Sequence, residues 1–297
     1  MSYRTDLAVE SLEAAARAGV RADTEHGVRQ ETRDIEGYRV TCVHIESDEG
    51  ARAIGKPRGS YITLTLDGAL RREQDAFPRA VEALAKQLSA LLADTQEGPV
   101  LVVGLGNRDI TPDALGPLAI ENVLATRHLV GGALPYFKDW RAVSAVSPGV
   151  LGQTGVEVGE LVCGILKTVA PRAVIAVDAL AAGRLSHLLR TVQLSNAGIV
   201  PGAGVGNARF ALDRQTLGVP VIAVGVPTVV DGATIAGEIA RQSGASCEAL
   251  DDLGAPVFVT TRDIDREVAE VARVIGYAID KALHPQLSVE DIDQFLS

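Results

Sequence analysis

Three carboxylates sit where two apolar runs give out. Asp109 and Asp113 fall in Gly104-Leu-Gly-Asn-Arg-Asp-Ile-Thr-Pro-Asp-Ala-Leu-Gly-Pro117, directly after Pro99-Val-Leu-Val-Val103. Asp178 follows Ala173-Val-Ile-Ala-Val177. Open parallel sheets bind ligands outside the carboxyl ends of their strands. An acid placed there either caps the next helix or does chemistry. Two carboxylates within a few ångströms cannot both ionise easily, so one keeps its proton near neutral pH. Such a pair activates water with one member and protonates or polarises an amide with the other. If the two strands are neighbours, Asp113 and Asp178 converge. Spacing alone leaves capping and catalysis both open.

Other chemistries find less support in the residues. Gly104-x-Gly106 after a strand invites a dinucleotide site, but G-x-G-x-x-G fails because Asp109 stands at the sixth position. A carboxylate there would repel a pyrophosphate. No G-x-S-x-G occurs and no motif links Ser195 to His187, which disfavours a serine triad. His-Glu-x-x-His is absent, and His26, His44, His128, His187 and His284 are scattered. The Asp-Thr-Gly signature of pepsin-like proteases is also missing. Gly198-Ile-Val-Pro-Gly-Ala-Gly-Val-Gly-Asn207 offers backbone amides to a substrate or oxyanion, or is a plain connection.

These groups need a frame. Residues 38–45 and 59–66 alternate as half-buried strands do, and 79–93 carries one apolar helical face. Strands and helices then alternate: strand 99–103, helix 114–129, strand 141–146, helix 157–169 and strand 173–177. A strand over 218–225 leads into Pro227-Thr-Val-Val-Asp231, putting Thr228 and Asp231 on the same rim. A long amphipathic helix over 265–283 and a capping box at Ser288-Val-Glu-Asp291 complete the pattern. The alternation predicts an α/β fold with a largely parallel sheet, in a single compact domain. Residues 1–60 add a layer.

The 297 residues are 47% hydrophobic but only 4% aromatic, so Ala, Val, Leu and Ile must build the core. A formal charge of −10 argues against a general nucleic-acid binder, which would need a basic face. Cys42, Cys163 and Cys247 lie in apolar contexts and read as buried free thiols. No secretory signal and no membrane span are expected, and the chain reads as soluble and intracellular.

Taken in order, several segments resemble the germination protease family of endospore-forming bacteria. They are Arg4-Thr-Asp-Leu-Ala-Val-Glu10, Gly55-Lys-Pro-Arg-Gly-Ser-Tyr-Ile-Thr63, Gly104–Pro117 and Pro148-Gly-Val-Leu-Gly-Gln-Thr-Gly155. Val177-Asp-Ala-Leu-Ala181, Pro201–Asn207 and Gly218–Asp231 continue the series across nearly the whole chain. The resemblance implies a three-layer α/β/α fold with a mostly parallel central sheet, like the phosphorylases and hydrogenase-maturation peptidases, plus added N-terminal strands. It implies an endopeptidase of the forespore or spore-core cytoplasm that degrades small acid-soluble spore proteins at germination, and a homotetramer. Asp113 and Asp178 match the family's proposed catalytic carboxylates, with Asp178 as base and Asp113 as acid, roles a coupled pair can exchange. Gly106, Asn107 and Thr228 would shape the substrate rim. No cofactor is expected and no metal-ligand residues are singled out; metal dependence stays open, with the carboxylates favoured. Asp109 departs from the family pattern and would raise the pKa of Asp113 by like-charge repulsion.

The same resemblance makes Arg4–Glu10 a self-processing site of a zymogen. It implies a cut between Asp6 and Leu7, residues 1–6 as propeptide, and residues 7–297 as one peptidase domain. The local alternative is a helix start, with Thr5 or Asp6 as cap and Leu7, Ala8 and Leu12 packing inward. Two other functions remain open: a nickel-dependent maturation-type peptidase and a non-catalytic α/β binding protein.

Overall fold

A computed structural model describes residues 5–17, 19, 27–67, 73–130, 132, 135–202, 210–243 and 257–297. In chain order these form α1 (Ala8–Arg17), β1 (Val28–Ile35), β2 (Tyr38–Ile45), α2 (Asp48–Ile54), β3 (Gly59–Thr65) and α3 (Ala76–Leu92). Then come β4 (Val100–Gly104), α4 (Leu115–Ile120), β5 (Val143–Val146), α5 (Leu151–Thr154), α6 (Val158–Val169) and β6 (Ala173–Ala182). The rest are β7 (Thr191–Ser195), α7 (Arg214–Leu217), β8 (Val221–Asp231), α8 (Gly232–Ser243), β9 (Phe258–Val259), α9 (Ile264–Leu283) and α10 (Val289–Leu296).

All described strands join one sheet in the order β1-β2-β3-β7-β8-β6-β4-β5, with β9 beside β8. The parallel register belongs to β8, β6, β4 and β5; the remaining pairings are antiparallel. Side chains alternate between faces. Val100, Val102, Ile175 and Val177 meet α3, α4 and α9 on one side through Leu84, Leu88, Leu115, Val271 and Ile275. Leu101, Val103, Val174 and Ala176 meet Val162 and Leu166 of α6 on the other. This is the α/β fold expected from the alternation, in the α/β/α layering that the family resemblance implies. No helix among the described residues is long and apolar enough to cross a membrane.

Several elements differ from expectation, each for a local reason. The helix expected over 114–129 stops at Ile120. Leu124 gives its N–H to Asp280 Oδ1 at 2.9 Å, and Arg127 gives its own to Val143 O at 2.9 Å. Both donors are thus taken by other elements, and the chain is drawn toward β5. The strand expected to end at residue 225 runs on to Asp231 through Pro227, because a register shift at Leu180/Ala181 falls opposite that proline. A bulge tolerates the missing N–H. β6 likewise continues past Asp178 to Ala182.

β1 was not foreseen, since as an edge strand it is mostly exposed and carries charge where alternation would show apolar residues. Its turn into β2 places Glu36 at φ 55° and Gly37 at φ 78°, the positive pair that a tight type I′ hairpin needs. Among the described residues, Cys42 is a buried and Cys163 a half-buried free thiol, while Cys247 lies outside them.

Candidate active site

Gly104 of β4 stands in register with Val177 of β6, so the loop after β4 and Asp178 meet at the same sheet edge. The loop folds back tightly. Leu105 N–H donates to Val177 O at 2.8 Å, and a Cβ on Gly104 would lie 2.3 Å from Gly116 O. Gly106, at φ 111°, lets the backbone turn against Asp113, where a Cβ would meet Asp113 O at 2.0 Å. A 3-10 turn, Thr111–Asp113, then presents the acid. Thr228 of β8 secures that turn by donating its hydroxyl to Pro112 O at 2.6 Å.

Asp113 and Asp178 line one cavity of about 900 Å³, together with Gly106, Asn107 and Thr228. Neither carboxylate caps a helix. Asp113 Oδ2 accepts from the Asn107 N–H at 2.8 Å, and Asp178 Oδ1 accepts from the Ala179 N–H at 2.9 Å. Burial raises the pKa of Asp113, against the lowering pull of the Asn107 amide. Asp178 is only 5% exposed, and burial holds its pKa well above the carboxylate range. The charge of Asp113 pushes it further, the Ala179 N–H opposes, and Asp6 adds a weaker upward push.

The rim differs from expectation at two acids. Asp109 is exposed and accepts from Gln153 Nε2 at 3.3 Å; burial, not Asp109, raises Asp113. Asp231 does not line the cavity but accepts from Thr234 N–H at 3.0 Å, capping α8. Of the glycine-rich loop, Gly198–Gly202 contributes to the wall, and residues 203–207 lie outside the described residues. Ser195 and His187 do not form a dyad. Ser195 Oγ accepts from Ala197 N–H at 3.0 Å, whereas His187 Nδ1 pairs with Glu10 Oε1 at 2.6 Å.

The chain's own amino-terminal segment enters this cavity. Asp6 lines it, and its N–H donates to Ala181 O at 2.9 Å while its Oδ2 accepts from Ala181 N–H at 2.8 Å. The Asp6 side chain is therefore bound to β6 and not used as a helix cap. Leu7, Ala8 and Leu12 pack inward as the helical reading expects. Residues 1–4 lie outside the described residues.

Two cavity residues were missed as site residues. Lys56 Nζ donates to Thr5 O at 3.1 Å, and Gln193 is hydrogen-bonded to the backbone of Asp6 and Ala8. Burial raises Asp6, with Lys56 opposing, and burial lowers Lys56, with Asp6 opposing. The signal for Gln193 was Thr191-Val-Gln-Leu-Ser195, a buried strand whose alternate residues are polar. Among the described residues, Glu31, Cys42 and His44 come within metal-ligand reach of one another on β1 and β2, and none of them lines this cavity.

Comparison with known proteins adds a family. Residues 6–241 match the family model described as germination protease. The chain is 40% identical over 324 residues to the germination protease of Caldanaerobacter subterraneus subsp. tengcongensis, covering 100% of this chain and 98% of that protein. It is 38% identical over 324 residues to a germination protease of Clostridium perfringens, covering 100% and 99%. The germination protease of Oceanobacillus iheyensis is 43% identical over 241 residues, covering 78% of this chain and 65% of the relative.

Proposed function

The chain belongs to the germination protease family and is a protease, and from that premise we propose that it hydrolyses small acid-soluble spore proteins with Asp113 and Asp178. The observation that carries this reading is their shared cavity, in which burial raises both acids and Asp113 raises Asp178 further. Unequal environments assign unequal roles. Asp178, the more strongly raised, keeps its proton and acts as the acid. Asp113, held by the Asn107 N–H, is the ionised member and takes a proton from water. This reverses the assignment favoured from the sequence.

Self-processing belongs to the same reading. The Asp6–Leu7 bond would be cut in the cavity where Asp6 already lies, making residues 1–6 a leader and 7–297 the peptidase domain. The enzyme would work as a homotetramer in the forespore and spore core. Gly106, Asn107 and Thr228 would shape the substrate rim.

The test is incubation of the full chain, and of its Asp113→Asn and Asp178→Asn variants, with a purified small acid-soluble spore protein. Cleavage is followed by intact mass and amino-terminal sequencing. Loss of both substrate cleavage and the new terminus at Leu7 in each variant, with folding intact, supports the pair. Near-normal cleavage by either variant overturns it.

A further inference from the structure

Gln193 is buried on β7, and its amide straddles the Asp6–Leu7 bond. Nε2 donates to the carbonyl oxygen of Asp6 at 3.0 Å, and Oε1 accepts from the Ala8 N–H at 2.7 Å. A carbonyl only accepts and a backbone N–H only donates, so the two partners fix which way the amide faces. Both contacts are to main chain. They would form with any sequence having an N–H two residues beyond the contacted carbonyl. The flanking contacts follow the same rule, since Lys56 holds Thr5 O and Ala181 O holds the Asp6 N–H.

We propose that Gln193 is a catalytic residue of the self-processing step: it sets the register of the chain and stabilises the oxyanion formed on the Asp6 carbonyl. The inference rests on the cut at Asp6–Leu7 argued above. Water oxygen bonds to the Asp6 carbonyl carbon as its proton passes to Asp113. The carbonyl π pair moves onto the oxygen that Gln193 Nε2–H already holds. The C=O bond then reforms, the C–N bond breaks, and the Asp178 proton passes to the departing nitrogen of Leu7. A donor aimed at the developing charge needs no reorganisation at that moment. The second contact requires an N–H on the residue after Leu7, so a proline there should be refused.

Self-cleavage of the full chain, followed by intact mass over time, tests this in wild type, Gln193→Ala, Gln193→Glu and Ala8→Pro. Gln193→Ala should slow the cut roughly 10²–10³-fold, the effect of removing one such donor, with its thermal unfolding measured alongside. Gln193→Glu puts an anion beside the oxyanion at neutral pH. Its rate relative to wild type should climb as the pH falls and the carboxyl becomes a donor, a pH signature that a purely structural role would not produce. Ala8→Pro removes the N–H from the first position of α1, where helices tolerate proline, and should block the cut. A wild-type rate in Gln193→Ala, or a Gln193→Glu profile parallel to wild type, overturns the role of Gln193 while leaving the carboxylate pair standing. No wild-type cut at Asp6–Leu7, or a cut that persists in Asp178→Asn, overturns the self-processing reading and this inference with it.

Discussion

The hydroxyl of Thr228 lies 2.6 Å from the carbonyl oxygen of Pro112, tying the far part of β8 to the turn that presents Asp113. Thr228 is 1% exposed, whereas Pro112 is half-buried and lines the same cavity. Thr228→Val keeps the shape and deletes the hydrogen bond. It should cost about 0.5–1.5 kcal/mol of stability, the usual net worth of one hydrogen bond whose acceptor stays partly solvated. Proteolysis should fall as well, because the turn beneath Asp113 loosens. Denaturant unfolding and cleavage rate measure the two effects; a variant unchanged in both would remove Thr228 from the site.

The proposed roles fix the pH behaviour. Activity should fall on the acidic side as Asp113 takes up a proton, at a pH above the ordinary carboxylate range because burial raises it. It should fall again on the alkaline side as Asp178 loses its own, giving a bell-shaped profile. Asp178→Asn should lower the rate roughly 10²–10⁴-fold, the usual contribution of one acid–base group. A profile flat across both limbs would contradict a carboxylate pair.

Stability should respond to pH with a definite sign. Asp280 is fully buried on α9, and burial holds its pKa well above the ordinary value. A raised acid gives stability that is fully present below its unfolded pKa and is lost as pH rises through the folded one. Its Oδ1 accepts from Leu124 N–H, whereas Oδ2 has no hydrogen-bond partner among the described residues. Asp280→Asn keeps the accepting oxygen and removes the charge. The variant should lose less stability than wild type between mildly acidic and alkaline pH, read as midpoints of thermal unfolding. Parallel curves for the two proteins would show that Asp280 carries no such linkage.

Gly106→Ala tests the closeness of the loop. At φ 111° a side chain is strained, and the new Cβ would collide with Asp113 O. Activity should fall by at least tenfold while the distant α3–α9 packing keeps the fold cooperative. Wild-type kinetics in this variant would mean that the loop has room the structure does not show.

Much of the framework was legible because burial leaves a periodic trace. β2 begins and ends where alternation placed it, and the capping box of α10 forms as written, with Ser288 and Asp291 bonding each other's backbone. Asp113 and Asp178 could be singled out because each follows an apolar run that is buried on both faces. What stayed hidden depends on partners remote in sequence. Asp280, 156 residues away, takes the N–H of Leu124 and ends a helical pattern that local spacing would continue. Gln193 meets the amino-terminal segment from 187 residues away, and no local motif encodes that meeting. The continuation of β8 through Pro227 was invisible because the bulge that admits it, with Thr228 as the extra residue, exists only in the pairing of β8 with the remote strand β6.

Leu7 is fully buried among Leu180, Ala182, Leu188 and Val230, and its N–H is held by Thr5 Oγ1 at 3.0 Å. Under the proposed cut, that neutral amide becomes a chain-terminal amine that must either carry charge in an apolar nest or leave it. An unpaired buried charge is costly. The two new ends would therefore be driven apart, so the reaction unmakes the nest that positioned its own substrate. Processing of this kind works as a one-way latch: the closed form is held by packing, and opening it destroys the fit needed to close it again.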